Sequence, residues 1–464
     1  MIDLLIQGGT VVFPETCVEV SLAVDGGKIV GLGTPGSLPT ARRTIDARGC
    51  YVLPGGVDPH VHIHWPFLDA TTADDYAEAT IAAAIGGTTT LIDFAHPKMG
   101  STPLARTTAR RAHADGQVAI DYSLHCVLTG GALDDLSSIA EVGVQGVNSF
   151  KVYMAYSRRG LMVDDAHMLQ LFSASAAQGA TVCVHAENGT VAAANEKQFL
   201  AEGRMSAVDF PLHKPSHVEA DAVSRAIHWA RQAGVRLCIL HLTTAEGVSL
   251  VREAKRSGVP VFAETCPQYL LLTDRVFGNE DGHRYICSPP LRSDGDREAL
   301  WKGLVDGTID MVGTDHCVFT AAQKDEHKDN FAEVPNGLPG LETRMSLLFS
   351  EGVAAGRMSI NDLARVTAFG PARTFGLYPR KGSLMPGADA DIVLLDPEQK
   401  WTIDPENLHM AADWSPFNDW QIVGRPTVTI ARGNVVAEGG EFVGEVGSGR
   451  FLAQAAQLAD SRES

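Results

Sequence analysis

The chain has 464 residues, 45% hydrophobic and 20% charged, with 46 Gly and 23 Pro along its length; this composition is globular and excludes collagen-like, coiled-coil and wholly disordered chains. Its 38 basic and 56 acidic residues give a formal net charge of −18, which opposes electrostatic attraction to nucleic acid or to an anionic membrane surface. A chain this long is expected to form one large domain and a smaller one.

The apolar runs stop well short of the ~20 residues that a spanning helix needs. The start, MIDLLIQGGTVV, lacks the basic stretch and small-residue cleavage site of a secretory leader, so a cytoplasmic location is expected. Eight cysteines occur without CxxC spacing and are expected as free, mostly buried thiols.

In chain order, LLIQGGTVV from Leu4, VEVSLAVDGGKIVGLG from Val18 and RTIDARGCYVLPGG from Arg43 read as short strands with Gly turns, a small sheet over residues 1–54. From 55 to 381 β-rich runs alternate with Ala-rich helical stretches such as DDYAEATIAAAIGG and HMLQLFSASAAQG, each closing on Gly. The candidate strands are VDPHVHIH, TTTLIDFAHP, AIDYSLHCVL, GVNSFKVYMAY, TVCVHAEN, RLCILHLTT, PVFAETCP and DMVGTDHC. They number eight, the count that closes a parallel α/β barrel of the TIM type. Residues 382–440 return to short strands able to complete the first sheet. A tail, 441–464, helix-prone from Phe451, is left over for oligomer contacts.

Strands of a parallel barrel should be apolar, because an unpaired buried polar group costs on the order of 1 to 3 kcal/mol. Several candidates instead carry polar residues at their C-terminal ends: His60 and His62, Lys151, His185, His241 and Asp315. These ends converge in such a barrel. A lone buried histidine is usually a hydrogen-bonded core residue, but four imidazoles, an amine and a carboxylate together suggest metal. The two-residue spacing puts His60 and His62 on one strand face. Lys151 fits if its amine, kept neutral by burial, has taken up carbon dioxide, since the carbamate can bridge two cations. The expected division is His60, His62 and Asp315 on one ion, His185 and His241 on the other, the carbamate shared and a hydroxide between them.

In GGVDPHVHIH, SFKVYMAY, HAEN, HLTTAEG, AETCPQYLLLT, YICSPPLR, VGTDHC and VPNGLPGLETR, the chain resembles the cyclic amidohydrolases of the hydantoinase and dihydropyrimidinase family, a likeness that extends over nearly its whole length. AETCPQYL and CSPPLR are the most specific pieces, since metal binding does not require them. The resemblance implies a (β/α)8 barrel with a β-sandwich built from both terminal segments, and hydrolysis of hydantoins or dihydropyrimidines to N-carbamoyl amino acids. It implies two divalent ions, zinc with manganese or cobalt as alternatives, N6-carboxylysine at Lys151, and a homotetramer or dimer. Tyr156 matches the tyrosine that steadies the oxyanion, Asp315 the proton carrier, and Ser288 and Asn336 the positions that hold the cyclic amide.

The ring substituent is expected to meet His64, Trp65, Phe67, His96, Arg158 and Arg159. Trp65 and Phe67 suit an aromatic or bulky apolar group; an inward Arg158 or Arg159 suits an anionic one, and the sequence leaves both open. Allantoinase is the next reading. Dihydroorotase ranks lower, because His64 stands where that group usually has an arginine. A metal-free scaffold protein disagrees with the intact ligand set, and a mononuclear deaminase has no use for Lys151.

Overall fold

The computed structural model describes residues 1–34, 36–67, 70–98, 100–129 and 136–457. Eight parallel strands form one sheet in the order of the chain: β1 (Gly56–Val61), β2 (Thr88–Ala95), β3 (Asp121–Val127), β4 (Ser149–Tyr153), β5 (Thr181–His185), β6 (Arg236–Ile239), β7 (Val261–Thr265) and β8 (Met311–Val312). These are the eight expected strands. All but the N-terminal residue of β6 and one residue of β7 are buried in full, the pattern of a sheet with helices outside and packed side chains within.

The ladder does not run between β8 and β1. The His62 N–H donates to the His316 carbonyl at 2.8 Å there, and the fully buried Arg344 guanidinium donates to the Val57 and Val312 carbonyls, each at 3.0 Å. One side chain thus closes the ring by satisfying carbonyls of both edge strands, which would otherwise be left unpaired. Helices lie where the Ala-rich runs predict them. Tyr76–Ile85 starts on a capping box in which Asp75 accepts from the Glu78 N–H and ends at Gly86, and Asp165–Ala177 starts on Asp164. Carboxylates at these ends complement the helix dipole as well as its first free N–H groups.

Two further sheets form the sandwich. One has the order Lys28–Gly33, Ser21–Asp25, Ile2–Gln7, Ala41–Asp46; the other joins Cys17–Glu19, Thr10–Val12 and Tyr51–Pro54 to Ile392–Thr402, Gln421–Ala431, Asn434–Glu438 and Glu441–Phe442. The two ends of the chain meet where Ile392 pairs with Pro54 and Leu395 with Tyr51. Leu4, Ile6, Val11, Leu22, Val24, Ile392, Leu394 and Ile430 share a core separate from that of the barrel.

The tail differs from its helical expectation. From residue 448 to 457 it is free of helix and lies against the barrel of its own chain: Leu452 N–H donates to the Tyr122 carbonyl at 2.7 Å, and Gln454 Oε1 accepts from Asn148 N–H at 2.7 Å. Gly146, with φ +85°, would place a Cβ 2.7 Å from that of Ala453, so a bare backbone is what lets the strap lie flat. Helix propensity is a weak preference, and these pairings with open backbone groups of β3 and β4 outweigh it. Residues 458–464 lie outside the described residues. All eight cysteines are free, six of them buried, and among the described residues no helix is long and apolar enough to cross a membrane.

Candidate active site

The barrel brings His60, His62, Lys151, His185, His241 and Asp315 to one cavity at the C-terminal ends of its strands, together with Tyr156, Ser288, Asn336, Trp65 and Arg159. His60, Lys151 and His185 sit within β1, β4 and β5; His62, His241 and Asp315 lie just beyond β1, β6 and β8. Three of these residues take left-handed backbone conformations without being glycine: Tyr156 at φ +67°, Asp315 at +50° and His241 at +38°. Such conformations cost about 1 to 3 kcal/mol each and gather where side-chain direction matters more than stability.

The donor atoms point at one another. Asp315 Oδ1 lies 3.1 Å from His60 Nε2 and 3.2 Å from His62 Nε2, and His185 Nδ1 lies 2.9 Å from His241 Nε2. Ligand atoms of His60, His241 and Asp315 all fall within 4.8 Å of one another. Burial pushes His60, His185 and His241 below the usual histidine range, so these imidazoles keep a lone pair for a cation. His241 Nδ1 is buried with no hydrogen-bond partner, a donor set short of an acceptor. Lys151 is 1% exposed, with Nζ 4.7 Å from the centre of the Tyr153 ring, and burial lowers its pKa to about 8. At neutral pH that multiplies the unprotonated fraction roughly 300-fold over an ordinary lysine. Convergent neutral imidazoles, a carboxylate and a reactive amine fit divalent metal binding.

Supporting groups lie one layer out. His60 Nδ1 is 2.9 Å from the Glu264 carboxylate, which fixes the Nε2 face toward the cavity. Burial, with Asp315 and Asp58 nearby, raises Glu264 well above the usual carboxylate range. Gly313 makes room for it, since a Cβ there would lie 1.8 Å from Glu264 Oε1. Asp58 accepts from the Thr314 N–H at 3.1 Å and Oγ1 at 2.7 Å, tying β1 to the loop that carries Asp315. His185 Nε2 is 2.7 Å from Glu187 Oε2, which also accepts from Lys214 Nζ at 2.9 Å. Lys214 and Asn336 Nδ2 both donate to Ser288 Oγ, at 3.0 and 3.1 Å.

Glu264, Glu187, Lys214 and Arg344 were missed by reading the sequence, since a charged residue inside an apolar run signals burial without naming its partner; Glu264, Glu187 and Arg344 were within reach, inside AETCPQYL, HAEN and VPNGLPGLETR. Burial raises the Tyr156 phenol, which keeps it a donor at neutral pH.

The expected ring-substituent residues divide. Trp65 lines the cavity and stacks on His96 at 4.0 Å, whose Nε2 is 3.1 Å from His62 Nδ1. Arg159 faces the cavity, with Cζ 5.2 Å from the Tyr156 ring centre. Arg158 turns to solvent and pairs with Glu196 at 2.5 Å. His64 is exposed and meets the His113 ring at 5.3 Å, away from the cavity. The Phe67 side chain lies outside the described residues.

Residues 51–436 match the amidohydrolase family. The chain is 40% identical over 458 residues to a D-phenylhydantoinase of Escherichia coli, covering 97% of each. It is 38% identical over 457 residues to a D-hydantoinase of Geobacillus stearothermophilus, covering 97% of this chain and 96% of that one. The crystal structure of a dihydropyrimidinase from Brevibacillus agri superposes with a TM-score of 0.94 at 37% identity, covering 97% of this chain and 98% of that one.

Proposed function

Since this chain belongs to the amidohydrolase family, in its hydantoinase and dihydropyrimidinase branch, we propose that it opens hydantoins or dihydropyrimidines by hydrolysis to N-carbamoyl amino acids. The observation that carries this reading is the convergence of His60, His62, His185, His241, Asp315 and the buried Lys151 on a cavity whose other wall offers Tyr156, Ser288 and Asn336.

Lys151, as its neutral amine, adds carbon dioxide and releases one proton to become the carbamate. His60, His62 and Asp315 would hold one divalent ion and His185 and His241 the second, with the carbamate between; zinc is the first choice, manganese or cobalt the alternatives. When bound, such ions lower the pKa of water toward ~7 and polarise a carbonyl.

The chain's own groups do the rest. Asp315 accepts one proton of the attacking water and delivers it to the ring nitrogen as the C–N bond breaks, leaving a carboxylic acid, which then releases its own proton to solvent, and a ureido group on the other end. Tyr156 donates to the carbonyl oxygen as negative charge grows there. Ser288 and Asn336 hold the –CO–NH– edge of the ring; Lys214 steadies Ser288.

The test is turnover of hydantoin, dihydrouracil and allantoin side by side, with metal content measured on protein purified without chelator. Ring opening of the first two is expected. Preference for allantoin would transfer the assignment to allantoinase, and a metal-free inactive preparation that added divalent ions fail to activate would sink the hydrolase reading. The enzyme is proposed to act in the cytoplasm as a homotetramer, with a dimer as the alternative; sedimentation showing monomer alone at working concentration would contradict this.

A further inference from the structure

Resting on the metal-dependent reading above, we infer that His96 is a positioning residue for His62: its ring accepts the His62 Nδ1–H and so aims His62 Nε2 at the divalent ion. The support is an imidazole where two neighbouring histidines have a carboxylate. His60 Nδ1 lies 2.9 Å from Glu264 and His185 Nε2 lies 2.7 Å from Glu187, whereas His62 Nδ1 lies 3.1 Å from His96 Nε2.

Ligation fixes the tautomers along this line. His62 Nε2 lies 3.2 Å from Asp315 Oδ1 and must keep its lone pair to bind a cation, so the proton of the neutral ring sits on Nδ1 and is donated. His96 Nε2 is then the acceptor, which puts the His96 proton on Nδ1. That nitrogen is buried with no hydrogen-bond partner. An unpaired buried donor costs free energy, so His96 is not a core histidine satisfied on both sides, and an apolar ring would fill the same space at less cost. Its side-chain hydrogen bond among the described residues is the one to His62. The faces of both rings are held by aromatic neighbours: His62 stacks on Phe94 at 4.7 Å and His96 on Trp65 at 4.0 Å. Stacking sets the plane of a ring and leaves open which edge faces the cavity; the hydrogen bond to His96 decides the edge.

The experiment titrates zinc into metal-depleted protein against a competing chelator, and records the visible spectrum of the cobalt-loaded form, for wild type, His96→Leu, His96→Phe and His96→Gln. Leu and Phe cannot accept a hydrogen bond; Phe keeps a ring on Trp65, and Gln supplies an acceptor oxygen. Both His96→Leu and His96→Phe are expected to bind one zinc ~10- to 100-fold more weakly and to shift the cobalt bands, and His96→Gln to recover most of the affinity. Melting temperatures identify the folded variants; should His96→Leu fail to fold, His96→Phe carries the comparison. Wild-type affinity in His96→Phe overturns the inference. So does a loss that His96→Gln shares in full, which would make His96 a packing residue. Zinc binding is read without substrate, so the two failures separate: a wild type that binds zinc and opens no cyclic amide sinks the hydrolase reading alone, and one that takes up no zinc sinks both.

Discussion

At Lys151, burial and reactivity are one fact. Desolvation lowers its pKa to about 8, and the same desolvation makes the free amine a nucleophile toward carbon dioxide. Lys151→Ala is expected to remove activity by at least ~1000-fold together with bound metal, and millimolar acetate or propionate is expected to restore part of both by supplying the missing carboxylate; metal content alongside rate reads this out. Tyr156→Phe removes one donor from the developing oxyanion and is expected to lower kcat by ~100- to 1000-fold with a far smaller change in KM. Glu264→Gln is expected to weaken metal binding by ~10- to 100-fold without touching a metal, because Glu264 orients His60 from behind; metal titration against a competing chelator measures it. The six convergent residues were legible because polar side chains at the ends of apolar strands are anomalies in a parallel sheet. Their partners were not, because Glu264 lies 204 positions from His60 and nothing local records the pairing.

Among elements, the joint between barrel and sandwich depends on a buried charge cluster. Lys381 Nζ, 1% exposed, lies 2.7 Å from Asp121 of β3, 2.7 Å from Asp391 and 3.1 Å from Asp389. Removing the cation takes from Asp391 its ion pair and leaves Asp121 with Arg432 and Asp389 with Lys28 and Arg380, so Lys381→Ala is expected to destabilise by about 3 kcal/mol, seen as a lowered Tm. Burial would raise Asp389, but Lys381, Lys28 and Arg380 outweigh it and bring its pKa to about 2. A depressed carboxylate stabilises fully above its unfolded value, near 4, and loses that contribution as pH falls through about 2. In Asp389→Asn, urea unfolding midpoints are therefore expected to fall less steeply between about pH 4 and 2 than in wild type; equal slopes would exclude Asp389 as a source of acid sensitivity. None of this could be read from ADADIVLLDP alone, where the acids look like an exposed turn.

On the scale of the whole molecule, the tail strap holds the N-terminal end of the barrel. Leu452 is fully buried, and Gln454 donates to the Leu124 carbonyl of β3 and accepts from the Asn148 N–H just before β4. Leu452→Ala is expected to cost about 2 to 4 kcal/mol, measured by chemical unfolding, although the residue lies at the far end of the barrel from the cavity. A tail made only for subunit contacts would lower the oligomer's association and leave the stability of the protomer unchanged.

The sequence by itself determined the eight strands, because each is an apolar run punctuated by Gly and followed by a helix, and their number sets how such a sheet closes. It also determined the six convergent residues, since unpaired polar groups are too costly at strand ends without a shared purpose. Tertiary structure alone decided the extended tail, the outward turn of Arg158 against the inward turn of Arg159, and the exposure of His64. Those outcomes turn on competition between distant partners: Glu196 holds Arg158, the Tyr156 face receives Arg159, and backbone groups at the N-terminal ends of barrel strands take up residues 450–457. Local preference carries no information about a partner hundreds of residues away, and only the folded chain brings the two into contact.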